Sequence, residues 1–380
     1  MTASIPLGRI AGVPVGAHWS LFVVFALVAQ ALAGRVLPRE HPGHDPSLYW
    51  AAGVAAACAF FASLVAHEMG HAMTARRHGV GVEGVTLWLL GGVARLAGDV
   101  PAARSELRIA LAGPAVSVAL ALTFVAAGAA LGALGAPGLL AGTVAWLGWI
   151  NGSLALFNML PAFPLDGGRV LRAWLWRRRS RARATTLAAR VGRGIGYVLV
   201  GAGGFLTVAG DALDGPWLAL IGWFVASAAA TEERDIRLRE RLAGTRVRDL
   251  AMPAVDAPAW VTVDALLQRH DGGDAPHAYV LRALDGALEG VVTLGAMRTV
   301  APEHRAMTRV RDRAVPPERV RVADPDDAVL DALGPSGGSW IVAVRAGRTL
   351  GVVTPEDLAR RAAAGEPTRT GGLAARLGRR

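Results

Sequence analysis

His67-Glu68-Met69-Gly70-His71 sets two imidazoles four residues apart with a carboxylate between them. On a helix, positions i and i+4 lie one above the other on the same face, so both rings can reach one Zn²⁺. Glu68 stands beside them, where the general base for a zinc-activated water belongs. These five residues close an apolar run, because Ala51 to Ala66 contains no charge. A water-activating motif continuous with a segment of membrane length points to peptide hydrolysis inside a bilayer. Ionisable residues at that depth cost on the order of 3 kcal/mol each and are functional by default.

Two histidines do not complete the site, since a catalytic zinc keeps three protein ligands and one open position. His78 follows closely, but the metzincin pattern needs Gly and His where Thr74 and Arg77 stand. Glu83 reads as a plain loop residue. The best candidate is Asp166, in Asn158-Met-Leu-Pro-Ala-Phe-Pro-Leu-Asp166-Gly-Gly-Arg169. Pro161 and Pro164 must end or break a helix there, and Gly167 and Gly168 let the backbone turn closely. The expected result is an unwound segment at membrane depth carrying one carboxylate. Such backbone is tolerated only inside protein or beside an aqueous cavity.

The elements that must position these residues follow from hydropathy. Of 380 residues, 53% are apolar and 18% charged, against about 25% charged in an average soluble chain. The deficit lies in the first 230 residues, which predicts a membrane domain followed by a soluble one. A spanning helix needs ~20 mostly apolar residues. Six candidates run over His18–Ala33, Leu48–Val65, Ile109–Leu134, Leu139–Leu160, Ile195–Ala209 and Trp217–Ala230, the last two short. Arginines cluster after the second, fourth and sixth, from Arg76 to Arg108, Arg169 to Arg183 and Arg234 to Arg241. That asymmetry predicts both termini in the cytoplasm, with His67 to His71 toward the cytoplasmic end of the second span. Met1 to Pro6 lacks the basic start of a cleavable signal peptide. The single cysteine, Cys58, reads as a small core hydrophobe. Arg177 to Arg183 has no interleaved aromatic or groove-reading motif, so it reads as a topology signal and lipid contact. No direct nucleic-acid partner is expected.

His-Glu-x-Gly-His in one span and Asn-x-x-Pro-x-x-Pro-Leu-Asp-Gly in a later one resemble the site-2 protease family of intramembrane zinc metalloproteases. The resemblance covers residues 1 to about 232. Leu7 to Ser20 is similar to the family's amphipathic lead into the first span. Leu90-Gly91-Gly92-Val93-Ala94-Arg95 resembles its glycine-containing hairpin, and Ala112-Gly113-Pro114 a small-residue helix contact. The resemblance implies that His67, His71 and Asp166 ligate one Zn²⁺. It implies that Glu68 deprotonates the bound water and later protonates the leaving amine. Asn158 would hydrogen-bond the substrate backbone or the oxyanion. Gly91 and Gly92 would let an edge strand pair with an unwound substrate helix. Related bacterial enzymes release membrane-tethered transcription regulators, so anti-sigma or pro-sigma factors are the implied substrates, at a bacterial inner membrane.

From about Thr245 the pattern changes to short β-runs with charged helices. Val247-Arg-Asp-Leu250 recurs as Val310-Arg-Asp-Arg313, Asp264-Ala-Leu-Leu267 as Asp327-Ala-Val-Leu330, and Gly290-Val-Val-Thr293 as Gly351-Val-Val-Thr354, at offsets of 63, 63 and 61 residues. This resembles a tandem pair of CBS motifs, residues 245–303 and 308–364, which often sense adenine nucleotides as a pseudo-dimer. That ribose-contacting signature, Ser or Thr with Asp three residues on, fits Thr354 and Asp357; in the first copy Thr293 is present but Ala296 replaces the Asp. The resemblance implies ATP or AMP as modulators, and a homodimer through the pair. Residues 365–380 are Arg- and Gly-rich and expected to be disordered.

The expected fold is therefore a polytopic α-helical membrane domain of about six spans (1–232) followed by a cytoplasmic α/β tandem CBS domain (245–364). A competing reading, a CBS-regulated membrane transporter or metal-binding membrane protein, accounts for intramembrane polar residues. It does not account for a general base between two histidines, and no duplication of the membrane half is evident.

Overall fold

The structure is a computed structural model and describes residues 5–89, 91–98, 100–210, 214–269, 276–333 and 340–363. The tail expected to be disordered, 365–380, lies outside the described residues. The chain divides into two compact units, Met1–Ile236 and Arg237–Arg380.

The first unit opens with a hairpin of β1 (Ile5–Ile10) and β2 (Val13–Ala17). Helix α1 (Ser20–Ala31) continues through a wider turn, Leu32–Val36, into α2 (Leu37–Glu40). Next comes α3 (Pro46–Arg77), with Pro46 in its first turn and Asp45 accepting from Ser47 N at 2.8 Å. Both features stabilise a helix start. At ~1.5 Å per residue, its 32 residues reach beyond a hydrocarbon layer of about 30 Å. A second hairpin, β3 (Gly81–Trp88) and β4 (Gly91–Ala97), precedes α4 (Ala103–Ala133) and α5 (Gly138–Asn158). Helices α6 (Asp166–Trp176), α7 (Arg181–Val208) and α8 (Asp214–Leu242) complete the unit's elements, α8 carrying the chain into the second unit.

Among the described residues, five helices are long and apolar enough to cross a membrane: Ser20–Glu40, α3, α4, α5 and α7. The sixth expected span forms the first part of α8, and α8 is not among the five. Its apolar stretch ends at Ala230, ahead of Glu232, Glu233 and Arg234. Cys58 corrects the expectation of a core position: it is exposed on α3.

The four strands of this unit form one sheet in the order β1-β2-β3-β4. Strand β2 runs parallel to β3, pairing Val15 with Val85 and Ala17 with Leu87; the outer pairs are antiparallel. Val13, Val15, Ala17, Val85 and Leu87 pack against Leu64, Met69 and Ala72 of α3. The sheet thus presses on the turns of α3 that carry the histidine motif and leaves β4 as an edge strand.

Close helix contacts use missing side chains. A Cβ at Gly70 would stand 2.9 Å from the Ala112 carbonyl of α4. On α7, a Cβ at Gly196 would lie 2.6 Å from Ala226 N and 2.7 Å from Gly222 O of α8. Small residues let backbones approach where apolar burial gives helices no driving force over lipid.

The second unit holds a six-stranded sheet ordered β7-β6-β5-β10-β9-β8. Its first half contains α9 (Val247–Leu250), β5 (Met252–Pro258), α10 (Val263–Gln268), β6 (Ala278–Arg282), β7 (Leu288–Thr293), α11 (Leu294–Arg298) and α12 (Pro302–Arg305). The second half has β8 (Val320–Ala323), α13 (Val329–Leu333), β9 (Trp340–Arg345), β10 (Arg348–Val353) and α14 (Pro355–Ala363). In each half the first two strands are parallel and the last two form an antiparallel hairpin. The halves join through antiparallel β5 and β10. A Cβ at Gly351 would lie 2.6 Å from Met252 O, and one at Gly290 would run into Val315 O. Val315 follows Met252 by 63 residues, so each half receives its glycine contact from the other in a reciprocal arrangement.

Gly196→Val should wedge α7 away from α8. Overpacking of this kind costs about 1–3 kcal/mol, and a lowered unfolding midpoint of the detergent-solubilised protein checks it.

Candidate metal centre

Helix α3 presents His67 and His71 to the interior, 2% and 4% exposed. Their ring centroids are 4.9 Å apart, and their Nε2 atoms 3.3 Å. Asp166, the first residue of α6, brings Oδ2 to 3.2 Å from His67 Nε2 and 3.1 Å from His71 Nε2. These three buried residues are the one group among the described residues whose donors could share a metal ion. The triangle has the right size. Three corners of a zinc tetrahedron with bonds of about 2.0–2.1 Å lie roughly 3.3 Å apart. Two imidazoles and a carboxylate are also a donor set that zinc accepts.

The far side of each ring is held. His67 Nδ1 lies 2.9 Å from Ser117 Oγ, and His71 Nδ1 lies 2.6 Å from the Ile109 carbonyl, both on α4. A carbonyl only accepts, so Nδ1 of His71 carries the proton and its Nε2 lone pair faces the site. This outer hydrogen bonding sets tautomer and ring orientation in metal-ligating histidines. Gly113 lies between those two partners on α4. A Cβ there would overlap His71 Nε2 and come within 2.6 Å of His67 Nε2. The missing side chain is therefore what leaves room at the centre.

Asp166 is placed by the loop from Met159 to Leu165, between the end of α5 and the start of α6. A Cβ on Gly167 would collide with the Met159 and Leu160 carbonyls, and one on Gly168 would reach 2.6 Å from Ala162 C. Both glycines let α6 begin against its own lead-in. Phe163 of this loop is buried among Ala188 and Ala189 of α7 and Ala229 of α8. Gly192 of α7 admits Ala162 and Phe163 at close range.

Glu68 is 7% exposed and neighbours the histidines on α3. Gly92 of β4 lies against it, and a Cβ there would stand 2.6 Å from Glu68 Cδ. Gly91 has φ +131 with open space around its Cβ direction, so it is required for backbone conformation rather than clearance. Asn158 is not joined to this cluster: its amide donates to the Leu154 carbonyl of its own helix at 3.0 Å. Thr354 and Asp357 belong to the second unit. They cap α14 reciprocally, with Thr354 N and Oγ1 donating to Asp357 Oδ2 at 2.9 and 2.8 Å.

The sequence profile of peptidase family M50 matches residues 55–139 and 132–199, which contain all four of His67, Glu68, His71 and Asp166. Rip3 of Mycobacterium tuberculosis (strain H37Rv), assigned as a zinc metalloprotease, is 43% identical over 382 residues, 97% of each chain. The chain belongs to peptidase family M50. This is the site-2 protease family of zinc metalloproteases that its motifs resemble. Among other M50 relatives, zinc metalloprotease MJ0392 of Methanocaldococcus jannaschii is 28% identical over 365 residues, covering 95% of this chain and 96% of that one. The solved site-2 protease from Methanocaldococcus jannaschii matches 60% of this chain and 94% of its own, at 29% identity and TM-score 0.43.

Several buried polar contacts of this M50 domain escaped sequence reading. Ser117 and the Ile109 carbonyl carry no signal, being ordinary residues of an apolar helix. Asn151, fully buried on α5, donates to the Leu147 carbonyl at 2.8 Å and faces Ser63 of α3 at 3.4 Å. Glu106 and Arg172 form a buried ion pair between α4 and α6. Charge beside apolar segments is a signal for these two, but in the linear sequence Arg172 is indistinguishable from the topology-setting arginines around it.

Gly113→Ala should lower zinc affinity on the order of 10- to 100-fold, the range for disturbing a metal's immediate support. Metal analysis of the purified, folded variant after dialysis against a weak chelator checks it.

Proposed function

We propose that this M50 member is an intramembrane zinc endopeptidase. It cleaves transmembrane or membrane-adjacent segments of membrane-tethered regulatory proteins, of the anti-sigma or pro-sigma factor class. The observation that carries the reading is the buried triangle of His67 Nε2, His71 Nε2 and Asp166 Oδ2, with edges of 3.1–3.3 Å, beside Glu68 on a membrane-length helix. When bound, zinc supplies an acidified water and a Lewis acid for the scissile carbonyl. His67, His71 and Asp166 hold it. Glu68 accepts the water proton and returns one to the leaving amine. Asn158 hydrogen-bonds the substrate backbone or the developing oxyanion. Gly91 and Gly92, at the start of edge strand β4, let an unwound substrate segment pair as an added strand beside Glu68.

The enzyme sits in a bacterial inner membrane with both termini in the cytoplasm, the orientation supported by its arginine-rich loops. The apolar half of α8 is its sixth span. Residues 1–232 form the protease domain. Residues 245–364 form a tandem CBS pair, which the matched strand scheme of the two halves and their reciprocal glycine contacts support. ATP or AMP at the Thr354–Asp357 site modulates the protease, and the pair offers a homodimer interface. Because these two residues cap α14 on each other, a ribose must open that box to bind.

In Glu68→Gln, cleavage of a reconstituted membrane substrate should fall on the order of 10²–10⁴-fold, the usual contribution of a general base, while bound zinc stays at the wild-type level. Retained cleavage by the purified variant sinks the assignment. Calorimetry of the full chain in detergent should show ATP or AMP binding that Asp357→Ala removes. Absence of binding by the wild type removes the nucleotide from the reading.

A further inference from the structure

Arg172 stands six residues beyond Asp166 on α6, and its side chain is only 11% exposed. It joins four elements. Nε donates to Glu106 Oε1 on α4 at 2.7 Å, and Nη2 donates to the same oxygen. Nη1 donates to Glu232 Oε1 on α8 at 3.1 Å. The guanidinium carbon lies over the Phe163 ring at 5.2 Å, in the loop that delivers Asp166. Glu106 is fully buried, and its Oε2 has no hydrogen-bond partner among the described residues. Three residues further along α4 lies Ile109, whose carbonyl holds His71 Nδ1.

Two arms therefore reach the metal centre from one cation. Through Glu106, Arg172 grips the helix that orients both histidines. Through Phe163 and its own helix, it grips the loop that aims Asp166. A third arm, Glu232, belongs to the helix that leads on into the second unit. A carboxylate on a separate helix can complete a triangle with 3.1–3.2 Å edges only if α6 cannot slide against α4. A buried planar guanidinium with donors in a fixed fork is suited to that constraint. Leaving one charge of such a pair unpartnered indoors is strongly unfavourable, which favours keeping α4 and α6 in register.

We propose that Arg172 is a positioning residue for the third metal ligand, tying Asp166 to the helix that orients both histidine rings and making its placement depend on α8. The proposal rests on the reading that His67, His71 and Asp166 hold the metal.

The test uses the full chain in detergent, loaded with Zn²⁺ or with Co²⁺ as a spectroscopic probe. Zinc release to a chelator and the visible Co²⁺ spectrum are read together. Arg172→Met should release zinc at least about tenfold faster, within the range for lost support of a metal ligand, and should change the Co²⁺ band shape. Arg172→Lys should restore part of both. Glu232→Gln, altered on a part-exposed side chain, should speed release severalfold while leaving folding intact. Thr185→Val, a buried change on α7 that loses a bond to the Arg181 carbonyl, should move neither readout. If Arg172→Met does not fold, the charge-free pair Glu106→Gln with Arg172→Met takes its place and should show the same faster release. Wild-type release and spectrum in the Arg172 variant or that pair overturn the proposal. So does an equal change in Thr185→Val, or an unchanged Glu232→Gln. A wild-type chain that takes up neither metal overturns the metal reading itself, and this proposal with it.

Discussion

The whole first unit is constrained by one requirement: three donor atoms must converge within 3.3 Å in an apolar interior. His71 and Asp166 are 95 residues apart in the chain. Polar groups buried away from water are tolerated only with partners, so each donor brings a supporting contact. Ser117 and the Ile109 carbonyl hold the histidine rings from behind. The glycines after Asp166 let α6 start against the preceding loop. The sheet on α3 fills the side the metal layer leaves open.

Removal of side chains does as much for the centre as their addition. Gly70 lets α3 approach α4, Gly113 clears the space in front of the Nε2 atoms, and Gly92 clears the carboxylate of Glu68. Each is a close approach whose partner is either rigid backbone or a residue of the site. An alanine at Gly92 or Gly113 would meet the side chains of the site itself, whereas one at Gly70 would press on the backbone of α4 and push the two helices apart. In a membrane, where lipid competes with helix contacts for apolar surface, such approaches also hold the bundle together.

The second unit rests on a different logic. Its sheet is completed by exchange between two similar halves, with Gly290 and Gly351 each meeting the backbone of the opposite half. Neither half alone covers its own strand edge. The chain leaves the first unit along α8, which carries Glu232, a partner of Arg172, just after its apolar stretch. The helix linking the units is therefore tied by side chains to the one that bears Asp166.

Much of this was legible in the linear sequence, for reasons of spacing. His67, Glu68 and His71 are local: the period of one helix puts them together whatever surrounds it, and the uncharged run before them announces the helix. Asp166 was legible because two prolines and two glycines broke an apolar segment beside a lone carboxylate. The strand-and-helix rhythm of the second unit showed as repeated tetrapeptides. Cys58 misled, since in a membrane helix an apolar run has two apolar faces and hydropathy does not say which one turns inward. The sixth span was ambiguous for a related reason, as its apolar stretch is short and ends in charge. What composition could not reveal is which unremarkable residue stands behind a ligand. Ser117 became a histidine partner, Asn151 a buried amide and Arg172 a junction only when helices distant in sequence were packed side by side. The sequence by itself determined which atoms could do the chemistry, because their types and local spacing are properties of the chain. The tertiary structure alone decided how those atoms are aimed, because aim depends on contacts between helices that no local period encodes.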